Sequence, residues 1–268
     1  MYWSDKMEIT VLASGSKGNA TLIKTENSTI LIDAGISYLQ LRKRLAFHQI
    51  NIEQIDAVLL THEHGDHIKG LDVLLRKENT TVFLTKDTLK STPSKLQETI
   101  LSSKFQVIQP NQKFAFNEID IMPFSISHDS SDAVGYVLYS DGKKIVYCTD
   151  IGYLPDRDFD LLRGANAYVF EANYDVTLLF TSARPFYLKQ RIDSVKGHMS
   201  NTDSAYNMVS LVGINTEHII LAHPSEECNT KELAIETYRE VFAEYDKDLE
   251  DYNVVVASQN EGAKTIKL

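Results

Sequence analysis

The sequence predicts an α/β sandwich in which two sheets pack together and helices lie outside them. Eleven short segments have the continuous or alternating apolar pattern that is typical of strands. Helical spacing of apolar residues appears between several of them. Turn signals such as Asp141-Gly142 predict tight hairpins in the middle of the chain. This mixture of hairpins and helices favours a layered α/β fold, although it does not give the strand order.

The predicted strands follow one another along the whole chain. In order they are Ile9–Ala13, Ala20–Lys24, Thr29–Asp33, Ala57–Thr61, Thr81–Leu84, Ile119–Phe124, Val134–Tyr139, Lys144–Thr149, Ala167–Glu171, His218–Ala222 and Asn253–Ala257. Apolar residues spaced three or four positions apart predict four helices. These helices are Tyr38–Phe47, Asp66–Leu75, Asn201–Val212 and Thr230–Tyr245.

The composition excludes several classes of protein. The 268 residues include 37 acidic and 27 basic side chains, and 43% are apolar. No repeat or linker divides the sequence, so we expect one domain over residues 1–268. No apolar run reaches the ~20 residues of a membrane span, and the first residues do not form a secretory signal. Two cysteines fit a reducing compartment. We therefore expect a cytoplasmic protein, not a membrane protein, a secreted scaffold or a zinc-finger array.

Three histidines and an aspartate lie within six positions, directly after the predicted strand that ends AVLLT. The segment reads His62-Glu63-His64-Gly65-Asp66-His67. A strand end that leads into a helix start lets these short side chains converge on one point. Imidazole nitrogen and carboxylate oxygen are ligands that zinc and similar metals accept. The segment therefore predicts a metal site.

Three further candidate ligands each follow a predicted strand. His128 lies in SISHDSSD, Asp150 ends KIVYCTD, and His223 ends HIILAH. A lone polar residue at a strand end is usually a cap or a turn former. Together with residues 62–67, however, these residues complete two ligand sets that share one carboxylate.

The order and separation of these seven residues resemble the metallo-β-lactamase superfamily over most of the chain. The resemblance implies an αββα sandwich, with two mixed β-sheets flanked by helices. It also implies two divalent metal ions, which can be zinc, manganese or iron. The first ion would be held by His62, His64 and His128. The second would be held by Asp66, His67 and His223, and Asp150 would bridge the two.

Further motifs resemble the YycJ/WalJ group of single-domain hydrolases, which is related to ribonuclease Z and the β-CASP nucleases. They are SGSKG at 14–18 followed by Asn19, FEANYD with Glu171, and KGHMSN with His198. The resemblance implies that Glu171 and His198 form a dyad outside the metal ligands, with catalytic roles for both and for Asp66. The 14–18 loop, with Ser16 and Asn19, is either a phosphate contact or a plain hairpin loop.

A formal net charge of −10 is unfavourable for binding nucleic acid. The segment 184–196 partly answers this objection, because it carries four basic residues against one acidic residue and leads to His198. Its aromatic residues Phe186 and Tyr187 can stack on bases. We expect Arg191 and Lys196 to contact substrate, although such a segment is equally compatible with a solvated face.

These observations predict a dinuclear-metal phosphodiesterase, and the resemblance implies a DNA exonuclease that acts 5′→3′ on DNA ends in repair. Three alternatives remain open at this point. The first is RNA processing, although no insertion is visible for a long tRNA-binding arm. The second is hydrolysis of a thioester, lactone or cyclic nucleotide. The third is a metal-bearing regulatory partner in cell-wall signalling.

Overall fold

A computed structural model describes residues 7–260 and 264–268, and these residues form two seven-stranded sheets. The first sheet has the spatial order β14-β1-β2-β3-β4-β5-β6. Its strands are β1 (Met7–Ala13), β2 (Ala20–Thr25), β3 (Thr29–Ile32), β4 (Ala57–Leu59), β5 (Thr81–Thr85), β6 (Phe105–Ile108) and β14 (Ile266–Lys267). Strands β3 to β6 are parallel, and the remaining pairs are antiparallel.

The second sheet has the order β13-β12-β11-β10-β9-β8-β7. Its strands are β7 (Phe114–Phe116), β8 (Ile119–Ser125), β9 (Val134–Ser140), β10 (Lys143–Cys148), β11 (Ala167–Glu171), β12 (His218–Ala222) and β13 (Asn253–Val256). Strands β10 to β13 are parallel. The β9–β10 hairpin turns at Asp141 and Gly142, whose φ angles of 49° and 76° are those of the tight turn that the sequence predicts.

Helices connect the strands and cover the outer face of each sheet. In the described residues these helices are α1 (Tyr38–Phe47), α2 (Gly65–Ile68), α3 (Leu71–Lys77), α4 (Lys86–Ser91), α5 (Ser94–Leu101), α6 (Phe159–Leu162), α7 (Val176–Thr181), α8 (Phe186–Ile192), α9 (Asn201–Leu211) and α10 (Lys231–Glu244). Single 3₁₀ turns lie at Ile52–Gln54, Asp156–Asp158 and Leu249–Asp251. None of these helices is long and apolar enough to cross a membrane.

Three layers of core hold the sheets and helices together. Residues such as Ile32 and Tyr136 fill the space between the sheets. Leu31 packs with the helices outside the first sheet, while Phe170 and Cys148 lie in the core outside the second. Successive residues of one strand therefore bury opposite faces, which explains the continuous apolar strand sequences. Cys148 is a free cysteine buried in this core.

The predicted fold class is confirmed, and all eleven predicted strands are present with ends within two residues of the prediction. The single helix predicted over Asp66–Leu75 is wrong, because the chain breaks it into α2 and α3 at Gly70. A Cβ on Gly70 would lie 2.2 Å from the carbonyl oxygen of Ile36, and its amide donates to Ala34 at 2.8 Å. The short strands β6, β7 and β14 and the short helices α4 to α8 are present in the structure but were not predicted from the sequence.

Candidate metal centre and active site

The candidate ligands lie on loops beyond the ends of strands, where the two sheets meet. The loop after β4 carries His62 and His64 and leads into α2 with Asp66 and His67. The other three candidates follow strands of the second sheet. These are His128 after β8, Asp150 after β10 and His223 after β12. The carboxyl ends of parallel strands thus place the side chains around one crevice.

The structure brings all seven candidates together in overlapping groups whose ligand atoms lie within 4.8 Å of one another. Three of these groups are His62, His64 and His128; Asp66, His67 and His223; and His62, His67 and Asp150. A fourth group joins Asp150 and His223 with Glu171 and His198. The carboxylate oxygens of Asp150 lie 3.4 Å from His67 Nε2 and 3.6 Å from His223 Nε2. Asp150 therefore lies between the two ligand sets.

Three buried ligand atoms without hydrogen-bond partners among the described residues indicate that this cluster can hold metal ions. His62 Nε2, Asp150 Oδ2 and His223 Nε2 are buried, and none has a hydrogen-bond partner among residues 7–260 and 264–268. A buried polar atom without a partner costs about 1–3 kcal/mol. Three such atoms in one cluster of imidazoles and carboxylates match what divalent cations accept as ligands.

The electrostatics of the cluster favour positive charge. Burial opposes a charge on His67, but the carboxylates of Asp33 and Asp150 outweigh it and raise the pKa of this imidazole to about 9. Burial alone would lower the pKa of His223, but the Asp150 carboxylate outweighs burial and raises this pKa well above its ordinary value. Because a metal ion requires a neutral imidazole, metal binding would displace these protons. His62 is already favoured in its neutral form, because burial lowers its pKa well below the ordinary value.

A fully buried carboxylate, that of Asp33, orients His67. This role was not predicted from the sequence. Its Oδ2 accepts from His67 Nδ1 at 2.8 Å, and its Oδ1 accepts from the Thr61 backbone amide at 2.8 Å. Such a partner fixes the ring of a metal ligand and leaves Nε2 for the metal. Asp33, Asp150 and His223 have φ angles of 61°, 57° and 55°, in the left-handed region that non-glycine residues rarely adopt. Strain of this kind clusters at functional sites.

We expect Asp33→Asn to weaken zinc binding about 10- to 100-fold, because the amide keeps the shape and loses the charge that polarises His67. Asparagine also tolerates the left-handed backbone at this position. Asp56→Asn is the matched control, since Asp56 accepts from the Thr29 amide at 2.8 Å and belongs to none of the ligand groups. Competition against a chromophoric chelator measures both affinities. Wild-type affinity in Asp33→Asn would contradict this role.

Glu171 contacts both His198 and a candidate metal ligand. Its Oε1 lies 2.8 Å from His198 Nδ1 and 3.0 Å from His223 Nδ1. Its Oε2 accepts from the amides of Ile151 at 2.8 Å and Met199 at 3.2 Å. The structure therefore places Glu171 beside His198, as the resemblance implies, and adds a contact to His223. Burial opposes ionisation of Glu171, but His198 outweighs it and lowers the pKa of this carboxyl group.

His198 lines an open cleft of about 200 Å³ together with members of both ligand sets. Because its Nδ1 faces Glu171, Nε2 is the ring nitrogen left for a molecule in the cleft. Its side chain is 22% exposed, whereas that of Glu171 is fully buried. This arrangement can hold an anion against the ligands and present an N–H group to it.

The early loop places one of its two candidate residues, Ser16, at the cleft and buries the other, Asn19. Asn19 Oδ1 accepts from the Gly15 amide at 2.9 Å, and its Nδ2 lies 3.1 Å from His67 Nε2. The Asn19 amide is therefore occupied by its own loop and the ligand cluster, so it orders this wall of the site.

The basic segment 184–196 does not form a continuous cationic face. Lys189 is buried and donates to the carbonyl oxygens of Phe180 and Ser182. Arg184 pairs with Glu227 on the surface. The other two basic residues lie near the site in different surroundings.

Arg191 reaches the cleft but is paired there with Asp129, the residue that follows His128. The Asp129 carboxylate accepts from Arg191 Nε at 2.6 Å and Nη2 at 2.5 Å. Lys196 lines a neighbouring pocket instead of the cleft. The sequence does not reveal the Asp129 partner, because the two residues are 62 positions apart.

Comparison with known proteins agrees with this geometry. The model of the beta-lactamase superfamily domain matches residues 28–223. Exodeoxyribonuclease YycJ of Bacillus anthracis is 36% identical over 238 residues, which cover 89% of this chain and 90% of that protein. Exodeoxyribonuclease WalJ of Streptococcus pneumoniae (strain D39) is 39% identical over 225 residues, which cover 84% of each.

Among solved structures, the metallo-beta-lactamase fold protein YhfI from Bacillus subtilis shares the fold. Its TM-score is 0.72 at 18% identity, and the match covers 96% of this chain and 99% of that one. The family model and the two relatives confirm the resemblance inferred from the sequence. This chain belongs to the metallo-β-lactamase superfamily of metal-dependent hydrolases, in the group that contains YycJ and WalJ.

Proposed function

We propose that this protein is a phosphodiesterase that carries two divalent cations and removes nucleotides from DNA ends. The observation that carries the proposal is His198, held by Glu171 over the same cleft into which both ligand sets open. Relatives named exodeoxyribonuclease, which match this chain over at least 84% of its length, also support it. Zinc, manganese and iron all suit the donor set.

The ligand geometry supports a division of the seven residues between two cations. His62, His64 and His128 would hold one, Asp66, His67 and His223 the other, and Asp150 both. In such sites the cations supply charge neutralisation at the phosphate oxygens and activation of a water molecule. Asp66 lies at the cleft and its side chain is 25% exposed, so its carboxylate can also orient that water or accept its proton.

His198 would act on the leaving group. Its Nε2 can donate a proton to the departing alkoxide oxygen, while Glu171 holds Nδ1 and fixes the orientation of the ring. General acid catalysis of this kind typically contributes about 10²- to 10⁴-fold. We infer the 5′→3′ direction, a role in DNA repair and a cytoplasmic location from the resemblance to YycJ and WalJ.

A substrate panel tests the proposal against its alternatives. The protein is loaded with Zn²⁺ or Mn²⁺ and given labelled duplex DNA, single-stranded DNA, RNA, nitrocefin and a thioester. We expect DNA to be shortened from its ends faster than any other substrate is consumed. Preference for RNA would favour RNA processing, and turnover of only the small substrates would favour a small-molecule hydrolase. Both results would contradict the DNA assignment.

The Arg191–Asp129 pair at the cleft gives a separate prediction for strand binding. Because Asp129 balances the guanidinium, Arg191→Ala should raise the KM for DNA by only about five- to tenfold, equivalent to ~1 kcal/mol. The slope of log KM against log salt concentration should fall by about one. Arg184→Ala is the matched control, because Arg184 is also paired with a carboxylate and does not line the cleft. Equal KM changes in both variants would remove Arg191 from substrate binding.

A further inference from the structure

A second pocket lies beside the cleft and shares His128 with it. This pocket, which we call the serine pocket, has a volume of about 350 Å³. Its polar and aromatic lining consists mainly of Ser127, His128, Ser130, Tyr153, Arg157 and Lys196. No step described above uses Arg157, Ser130 or Tyr153.

Backbone contacts bring three distant segments together to form the serine pocket. Ser127 Oγ donates to the carbonyl oxygen of Val195 at 2.6 Å, and the Gly152 amide donates to the carbonyl oxygen of Ser127 at 3.0 Å. A Cβ on Gly152 would lie 2.3 Å from the carbonyl oxygen of Ser194. A larger residue at position 152 would therefore separate the segments. Lys196 directly follows Val195, so these contacts place it at the edge of the pocket.

The cations of the serine pocket are available to a ligand. Within residues 7–260 and 264–268, Lys196 has no hydrogen bond or ion pair, and its side chain is exposed. Arg157 Nε lies 3.7 Å from Asp158, beyond hydrogen-bond distance, and the Arg157 side chain is 74% exposed. This differs from Arg191, which Asp129 binds through two nitrogens. One carboxylate, that of Asp132, also lines the pocket.

The serine pocket also contains a hydroxyl group, that of Ser130, which can form a hydrogen bond with a ligand. Ser130 Oγ is buried and has no partner in the described part of the chain. The neighbouring Ser131 is already occupied, because it donates to Glu63 at 2.8 Å and contacts Ser91. Lys196, which is unpaired among the described residues, the exposed Arg157 with its long ion pair to Asp158, and the Ser130 hydroxyl lie next to a candidate metal ligand, and groups of this kind bind a phosphate.

We propose that the serine pocket binds a second phosphate of the nucleic acid strand, adjacent to the one in the cleft. This inference rests on the proposed nuclease function and deepens it. A strand whose scissile phosphate lies at the ligands reaches the pocket across His128, the residue common to both. The ligand is either a terminal phosphate monoester or the next internal phosphodiester, since both have the chemistry that Arg157 and Lys196 recognise.

The test measures binding of the metal-loaded protein to phosphorothioate-linked single-stranded oligothymidine, with a 5′-phosphate or a 5′-hydroxyl group. Arg157→Ala/Lys196→Ala should raise Kd about 10- to 30-fold, and the slope of log Kd against log salt concentration should fall by about 0.7 for one lost phosphate contact. Arg42→Ala/Lys43→Ala is the control. It removes the same two charges from exposed residues of α1 that line neither pocket and have no ion pair in residues 7–260 and 264–268.

The two oligonucleotides distinguish the sources of the phosphate. Loss of affinity for the 5′-phosphorylated strand alone assigns the pocket to the terminal monoester, and loss for both strands assigns it to an internal phosphodiester. Unchanged binding by Arg157→Ala/Lys196→Ala, or an equal loss in the control, would overturn the inference and leave the nuclease proposal intact. Failure of the wild-type protein to bind either strand would overturn both. Circular dichroism and the melting temperature establish that each variant is folded.

Discussion

Replacement of Asp150 is expected to remove at least one metal ion and to lower phosphodiesterase turnover by at least about a thousandfold. The Asp150 carboxylate lies between the two ligand sets, within 3.6 Å of His67 and His223. Without it, two divalent cations would face each other with no negative charge between them. Burial opposes the charge, but His223 and His67 outweigh it and hold the pKa of Asp150 well below its ordinary value.

Two variants separate the charge of Asp150 from its backbone conformation. The φ of 57° at this position costs alanine about 1–2 kcal/mol, whereas asparagine adopts it more readily. We therefore expect Asp150→Asn to keep the wild-type melting temperature more closely than Asp150→Ala, while both lose metal. Elemental analysis of the purified proteins measures the metal content. Full metal content in Asp150→Ala would contradict the bridging assignment.

His198→Ala is expected to keep both metals and to lower turnover of DNA by about 10²- to 10⁴-fold. His198 forms a further possible ligand group with Asp150, Glu171 and His223, but its Nδ1 is engaged by Glu171 Oε1 at 2.8 Å and lies 3.9 Å from Asp150. An alkoxide leaving group needs a proton, whereas p-nitrophenolate leaves readily without one. The loss should therefore be much smaller on bis-(p-nitrophenyl) phosphate than on DNA.

The ratio of the two losses identifies the role of His198. A uniform loss on both substrates would indicate that His198 stabilises charge on the transferring phosphate, since that charge develops with either leaving group. Loss of metal would make His198 a ligand and contradict both roles. Glu171→Gln is a less selective probe than His198→Ala, because Glu171 also contacts His223. We expect it to lower DNA turnover less than His198→Ala does and to weaken metal binding as well.

The convergence of the candidate metal ligands was predictable because its signal in the sequence is local. His62, His64, Asp66 and His67 lie within six positions at a strand-to-helix junction, so the spacing alone indicates convergence. The single candidate ligands after β8, β10 and β12 can be recognised as such only in combination with that cluster. The role of Asp33 was not predicted, because a single aspartate at a strand end is usually a turn former. Its identity as a partner of His67 depends on a pairing between parallel strands that the sequence does not display.

The surroundings of the basic segment 184–196 could not be predicted, because its partners are distant in the sequence. Arg184, Lys189 and Arg191 look like one charged face in the sequence, yet each finds a different partner after folding. Those partners include carboxylates 43 and 62 positions away, which no local pattern reveals. Helix α2 and helix α3 were merged for the same reason, because the contact that breaks them at Gly70 comes from another segment.

Digestion of end-labelled linear DNA tests the central claim most directly. Duplexes labelled at the 5′ or the 3′ end, with a 5′-phosphate or a 5′-hydroxyl group, are incubated with protein loaded with Zn²⁺ or Mn²⁺. We predict that the 5′ label appears in mononucleotides at the earliest times, while the 3′-labelled strand shortens progressively. Intact DNA with both metals, or internal fragments without released mononucleotides, would contradict an end-acting DNA phosphodiesterase.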